Sequence, residues 1–381
     1  MPVGSSGGGG GGSSSGSEFL YALEFSPSPQ LGWVEGFGID SATGALHMVS
    51  KVGLSSDKPN DIKIDSQSQY LFTVSSPGCC TQPPPPSTIE TLAISAGGNL
   101  GVVGTATLTN NQTELVNSLL LDTAGRNLYT AEENLISTNG STGEFNVDRA
   151  TGHVSSMGPN VVNEWAPGWL VMSPNGLFVY ASMMPRHLAN VPGGWFVMTR
   201  DPATGALTDS FNPGPVTTPP TFYPGPRPGE IYNSGVFVLG GKYLVGGSWD
   251  HMVVTVWSAN AATGALTPVT EIGADQSSTV SADQTGNFVF VTHQTGVVNS
   301  YRVNADGTLT LTGSANAGAG TGGVLENAMT SPSNRFVYVT DGVSPQIWAF
   351  TFNATTGALG LVPGSPFAAS NVPGRMGVAT K

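Results

Sequence analysis

Phe350-Thr351-Phe352-Asn353-Ala354-Thr355-Thr356-Gly357-Ala358-Leu359 reads as a β-hairpin. Phe350 and Phe352 alternate with polar residues at the period of two of a half-buried strand, Asn353 to Gly357 supply turn chemistry, and Leu359 opens the return strand. Glycine at the tip permits positive φ without steric cost. Asn or Asp at the start of the turn hydrogen-bonds its own turn backbone.

The same plan recurs as Ile39 to Leu46, Val147 to Gly152, Asp201 to Leu207 and Asn260 to Leu266, with shorter copies at Ala96 to Leu100 and Asn304 to Leu309. Gly44, Gly98, Gly152, Gly205, Gly264, Gly307 and Gly357 mark seven repeats, spaced by roughly 52 residues, within the range of propellers and solenoids. Between the markers lies a second motif, a polar turn followed by an apolar strand: Asp122 to Tyr129, Ser173 to Tyr180, Asp283 to Phe290 and Ser331 to Tyr338, with weaker forms at Asp65 to Phe72 and Leu239 to Val245. Each repeat therefore holds four strands, A to D from the axis outward: an apolar strand A (Leu119-Leu120-Leu121), B after the polar turn, C, and D after the Thr-Gly hairpin. The prediction is an all-β, seven-bladed β-propeller over residues 18–381.

Closure gives an independent check. Glu18 to Leu23 reads as a strand B lacking its strand A, and Gly374 to Ala379 as a strand A lacking its strand B. Docking the second inside the first closes the ring and leaves only short, protected strand edges.

Composition narrows the partners. Charged residues make up 10% of the chain, and the formal net charge of −12 argues against nucleic acid and anionic membrane, which require a basic face. No apolar run approaches a membrane span or the h-region of a signal peptide. Residues 1–17 are almost entirely Gly and Ser and are expected to form a flexible tether. Such a tether resembles the stretch that follows the lipidated Cys of bacterial surface lipoproteins, implying an extracytoplasmic protein (periplasmic, cell-surface or secreted); an engineered linker is the other reading. Cys79-Cys80, adjacent in a Pro-rich loop, leave a strained vicinal disulfide and two free thiols as alternatives. Without Cys-x-x-Cys spacing or nearby His they do not suggest zinc. The chain is expected to be a monomer.

The Asp/Asn-x-x-Thr-Gly-x-Leu hairpins, alternating with Ser-Pro-Asn-Gly-x-Phe-Val-Tyr turns, resemble the seven-bladed lactonase family of β-propellers, which includes propeller-type 6-phosphogluconolactonases and fungal carboxymuconate-lactonizing enzymes. The resemblance spans residues 18–381 and implies architecture; activity is argued from the site. The phosphogluconolactonase segment His…Asp-Leu-Gly-x-Asp is missing, its nearest equivalents being Ala131-Glu132-Glu133-Asn134 and Thr340-Asp341-Gly342. A phosphorylated substrate also calls for clustered cations, and the chain has 13 Lys and Arg in all, several at turns. The substrate is therefore expected to be small and unphosphorylated.

Propellers place ligands at the channel end formed by the loops before strand A and between strands B and C. Before strand A the chain offers Asn60, Glu114, Asn117, Glu164, Glu230, Asn233, Asp275, Glu326 and Asn327, an expected ring of carboxylates and amides. The B-to-C loops add Arg186-His187 in blade 4, Trp249-Asp250-His251 in blade 5 and Thr292-His293 in blade 6, whereas His47 and His153 lie near the hairpins. Lactone hydrolysis requires a base for water and a donor for the oxyanion. The sequence assigns His187 as base, Arg186 as carboxylate or oxyanion clamp, and Glu164 or Glu230 as orienting acid. His251, His293, Asn117, Glu326 and Trp249 are the expected substrate contacts. In the lactonizing direction the Arg would bind a substrate carboxylate. No cofactor or metal is called for, although the oxygen-rich mouth is of a kind that accepts Ca²⁺ in the channel. The Pro-rich insertion from Asn212 to Gly229 and the Cys79-Cys80 loop are candidate lids. The contrasting reading is a non-catalytic secreted propeller that binds a protein, glycan or surface polymer.

Overall fold

The computed structural model describes residues 16–27, 30–55, 58–76, 86–108, 114–134, 140–163, 166–183, 192–208, 222–228, 230–248, 250–274, 277–318 and 325–381. Seven antiparallel sheets form the blades. The inner strands of blades 2 to 7 are Lys58–Ile64, Glu114–Leu121, Pro167–Met172, Tyr232–Val238, Ser277–Ala282 and Leu325–Thr330. Blade 1 takes its inner strand from the other end of the chain: Val372–Thr380 pairs antiparallel with Glu18–Pro27 in the register Phe19 to Ala379, Leu20 to Val378 and Tyr21 to Gly377. Each inner strand contacts the inner strand of the next blade, and the last contacts the first. The ring is closed as the sequence predicts.

The hairpins join blade to blade. Gly44 has φ 78°, Gly264 φ 72° and Gly357 φ 82°. Asp40 Oδ1 accepts from the N–H of Ala42 and Thr43, and Asn353 Oδ1 from those of Thr355 and Thr356, at 2.8–3.0 Å. A Cβ on Gly44 would stand 2.4 Å from the Phe336 ring of blade 7, and one on Gly264 2.7 Å from Phe178 of blade 4. The hairpin tip therefore rests on the second strand of the preceding blade. A buried tyrosine of that strand donates to the tip: Tyr21 to Gly98 O, Tyr129 to Gly205 O, Tyr180 to Gly264 O and Tyr338 to Gly44 O, at 2.6–3.0 Å. Cations at this end serve the same joints. Arg335 donates to Ser41 O, Arg302 to Thr355 O and Lys242 to Ala305 O, while Arg200 bridges Asp122 and Asn127.

Three sheets carry a fifth strand. One of them corrects a reading of the sequence: Phe222–Pro228, within the proline-rich insertion, is not a lid in its described part but pairs with Pro192–Arg200 on the outside of blade 4. Its prolines, which cannot donate to a ladder, suit an edge strand. Residues 209–221 and the Cys79-Cys80 loop lie outside the described residues, as does the Gly/Ser segment up to residue 15. Blade 5 replaces the polar turn with a 3₁₀ turn, Leu239–Gly241, which explains its weak motif.

Candidate functional site

Every inner strand carries a register shift against its neighbour near the same end: between Pro59 and Asp61, Val116 and Ser118, Pro167 and Leu170, Tyr232 and Ser234, Ser277 and Thr279, and Leu325 and Asn327, with a shift opposite Ala22 and Glu24 in blade 1. A bulge re-aims the residues beside it. Here it brings Asp61, Trp169 and Arg375, from blades 2, 4 and 1, together. The Arg375 guanidinium lies 4.2 Å from the Trp169 ring centroid and the Lys63 ammonium 5.4 Å from it. Blades 1 and 4 are not neighbours in the ring, so these side chains meet across the central channel, near the end where strands A begin.

One carboxylate serves both cations. Asp61 is buried; its oxygens accept two contacts of 2.9 Å from Lys63 Nζ and one of 2.8 Å from the Leu119 N–H, and Oδ2 lies 3.3 Å from Arg375 Nη1. Burial alone would raise the Asp61 pKa, but Lys63, Arg375 and the Leu119 N–H outweigh it and hold the carboxyl below its ordinary range. Burial lowers the Lys63 pKa, Asp61 opposes the shift, and Arg375 adds to it. Trp169 is held by its indole N–H, which donates to Gly235 O at 3.2 Å. Arg375 Nη1, though ion-paired with Asp61 Oδ2, makes no hydrogen bond, and neither does the buried Asn327 Oδ1. The site thus has two cations, one anion, an aromatic floor and polar atoms left over. A cleft of about 210 Å³ adjoins it, lined by Leu23, Glu24, Phe25, Pro59, Gly342 and the Val372-Pro373-Gly374 run that leads into Arg375.

No family model matches the sequence, and no curated protein matches it. Solved structures do. A periplasmic gluconolactonase of Pseudomonas aeruginosa has a TM-score of 0.76 at 17% identity, covering 96% of this chain and 100% of that one. A candidate 6-phosphogluconolactonase of Bacteroides fragilis gives 0.74 at 15%, covering 96% and 99%. In its fold the chain is a seven-bladed propeller similar to these lactonase structures. A hypothetical selenium-binding protein of Sulfolobus tokodaii gives 0.70 at 11%, covering 97% and 94%, so this ring is not tied to one chemistry.

Within this propeller, several residues singled out from the sequence turn out to be engaged in packing. Asn117 donates to Pro167 O at 3.1 Å and Glu133 Oε2 at 3.3 Å, tying blade 3 to blade 4. Glu230 is buried and accepts from Tyr232 Oη at 2.5 Å; burial raises its pKa and the Tyr232 hydroxyl opposes the shift. His251 Nδ1 lies 3.2 Å from Asp250 Oδ2 without a hydrogen bond between them. His293 is buried, with Nε2 3.0 Å from Asn299 Nδ2. Glu326 occupies the bulge of the blade 7 inner strand, its side chain outside the described part, as is that of Glu114. Glu164, Arg186, His187, Trp249 and Asp275 lie outside the described residues. Among the described residues no group of three or more His, Cys, Asp or Glu is placed to hold a metal ion.

The sequence reading passed over Asp61, Lys63, Trp169 and Arg375. A signal was present: Asp61, Ser118, Trp169, Thr279 and Asn327 each stand four residues before the polar turn at Asp65, Asp122, Ser173, Asp283 and Ser331. Counting back from those turns finds the channel position.

Proposed function

We propose that the protein is an enzyme that opens or forms a small unphosphorylated lactone at the channel mouth. The observation that carries this reading is the pairing of Lys63 and Arg375 against the single carboxylate of Asp61, over Trp169. One positive charge remains in a partly desolvated site, matched to one carboxylate or one developing oxyanion. A phosphate dianion would be left half-neutralised.

In hydrolysis, water attacks the lactone carbonyl and gives its proton to a base, the carbonyl oxygen takes up negative charge beside Arg375 and Lys63, and the ring C–O bond breaks to an alkoxide that takes a proton. His187 is proposed as the base, Arg186 as a second clamp, and Glu164 or Glu230 as the acid that orients the imidazole. The loop bearing Arg186 and His187 leaves blade 4 after Met183, which pairs with Pro167 two residues before Trp169, supporting delivery of both side chains to this mouth. His251, His293, Trp249, Asn117 and Glu326 remain proposed contacts around the same rim. The periplasmic neighbour supports an extracytoplasmic location, and a monomer is proposed.

A binding propeller without catalysis is the second reading. It is favoured by the state of the segment that stands where a phosphogluconolactonase carries Asp-Leu-Gly-x-Asp: Glu132 accepts from Thr130 and Asn160, and Glu133 from Asn117, so both carboxylates serve packing. A panel of aldonolactones and carboxylated lactones, followed by proton release, separates the two. Turnover of at least one lactone, reduced about a hundredfold or more in His187→Ala, is expected. No turnover of any by the wild type, or unchanged turnover in His187→Ala, would remove the catalytic assignment.

A further inference from the structure

The seam that closes the ring holds a second titratable cluster, beside the cleft that adjoins the channel site. Glu24 on the second strand of blade 1 (Glu18–Pro27) and Glu35 on the third (Gln30–Ile39) share a face, because Ala22 pairs with Glu35 and Glu24 with Trp33. That face packs on blade 7, where Leu20, Ala22, Phe37 and Met376 of the closing strand join Phe336 and Tyr338 in one core. Both carboxyl side chains are fully shielded from solvent. Lys51, paired with Glu35 on the outer strand, lies 3.0 Å from Glu35 Oε1 and 3.8 Å from Glu24 Oε2. One ammonium does not neutralise two buried carboxylates in contact, so the pair retains a proton.

The remaining partners belong to the closing segment. The Ser370 N–H donates to Glu35 Oε2 at 3.1 Å, and Asn371 Nδ2 to Glu24 Oε2 at 3.4 Å. These are the last residues before the closing strand Val372–Thr380, and that strand carries Arg375 to Asp61 and Trp169. No charge on the closing segment faces the pair. Arg375 turns to Asp61, and among the described side chains of blade 7 Asp341 is taken by the Val343 N–H and the Ser344 hydroxyl.

We propose that Glu24 and Glu35 form a proton-operated latch on ring closure: sharing one proton they hold Ser370 and Asn371 against blade 1, and on losing it they loosen the closing strand and the Arg375 it positions. Burial and the neighbouring Glu35 push the Glu24 carboxyl up to about 8. Burial would raise Glu35 too, but its bonds to Glu24, Ser370 and Lys51 hold it below its ordinary value. A group bound more tightly by its proton when closed than when open stabilises the closed form fully below its open-state pKa and loses that contribution as pH rises towards the closed-state value. The latch therefore weakens between about pH 4.5 and 8, by up to tenfold per pH unit for one proton, and changes little above.

Hydrogen exchange of the full chain between pH 5 and 9 reads this without any substrate, so its outcome is independent of the lactone assignment. Protection of Val372–Thr380, normalised to the inner strand of blade 5 (Tyr232–Val238), should fall severalfold per pH unit up to about pH 8 and then level off. Glu24→Gln, which keeps an uncharged hydrogen-bonding group, should abolish that slope. Lys51→Met removes a charge that lowers the Glu24 pKa and should move the levelling point to higher pH; it carries the test if Glu24→Gln does not fold. A flat wild-type profile, or an identical slope in Glu24→Gln or levelling point in Lys51→Met, overturns the latch.

Discussion

Gly44 shows how one residue decides a joint. It lies at positive φ and leaves no room between its backbone and the Phe336 ring. Ala adds left-handed strain of about 1–2 kcal/mol and a clash that the ring must move to relieve. Gly44→Ala is expected to lower the stability of the ring by about 2 kcal/mol in urea unfolding. Gly101→Ala, where an added Cβ meets nothing within 4 Å, should change it by a few tenths at most. Asp61→Asn tests the channel at the same scale: it leaves two cations without their shared carboxylate. Because Lys63 and Arg375 are partly open to solvent, the cost should be about 2 kcal/mol, below that of a fully buried pair.

Between residues and the whole stands the joint of hairpin and strand. Tyr338→Phe deletes one buried hydrogen bond to Gly44 O and leaves a buried carbonyl unpaired, so a loss of about 1–2 kcal/mol is expected by thermal or urea unfolding. The hairpins that make these joints, though not the joints themselves, were legible in the sequence for a physical reason. Turn chemistry is local: Asp40 caps Thr43, and Thr-Gly sets the backbone, within five residues of each other. Strand order followed from the repeat, because a four-stranded unit at roughly 52-residue spacing has few other ways to bury its faces. The described part of the insertion was misread as a lid because proline content alone does not distinguish a loop from an edge strand.

At the scale of the molecule, the candidate site was the part least visible beforehand. Asp61, Trp169 and Arg375 are far apart in sequence and of three different types, and no local motif links them; only the closed ring and the recurring bulge bring them together. Sequence reasoning ranked histidines by face. The structure shows that buried His293 has an amide partner in Asn299, an ordinary way of satisfying an imidazole, and that His251 stands beside Asp250. At the hairpin end Arg335, Arg302 and Lys242 are occupied by carbonyls of the joints and Arg200 by Asp122 and Asn127, whereas the Lys63–Arg375 pair lies near the entry end with one positive charge to spare. If chemistry is located there, it depends on ring closure, since Arg375 arrives on the last strand.

The most direct measurement is kcat/KM for whichever lactone the wild type accepts, compared in Arg375→Met and in a hairpin-end variant, Arg335→Met, with circular dichroism confirming that both fold. Loss of one charge-assisted contact to the reacting oxygen or carboxylate corresponds to about a hundredfold. A fall of that order in Arg375→Met, with Arg335→Met near wild type, is the predicted result. Equal activity in Arg375→Met and the wild type would contradict a reaction centre at the channel mouth.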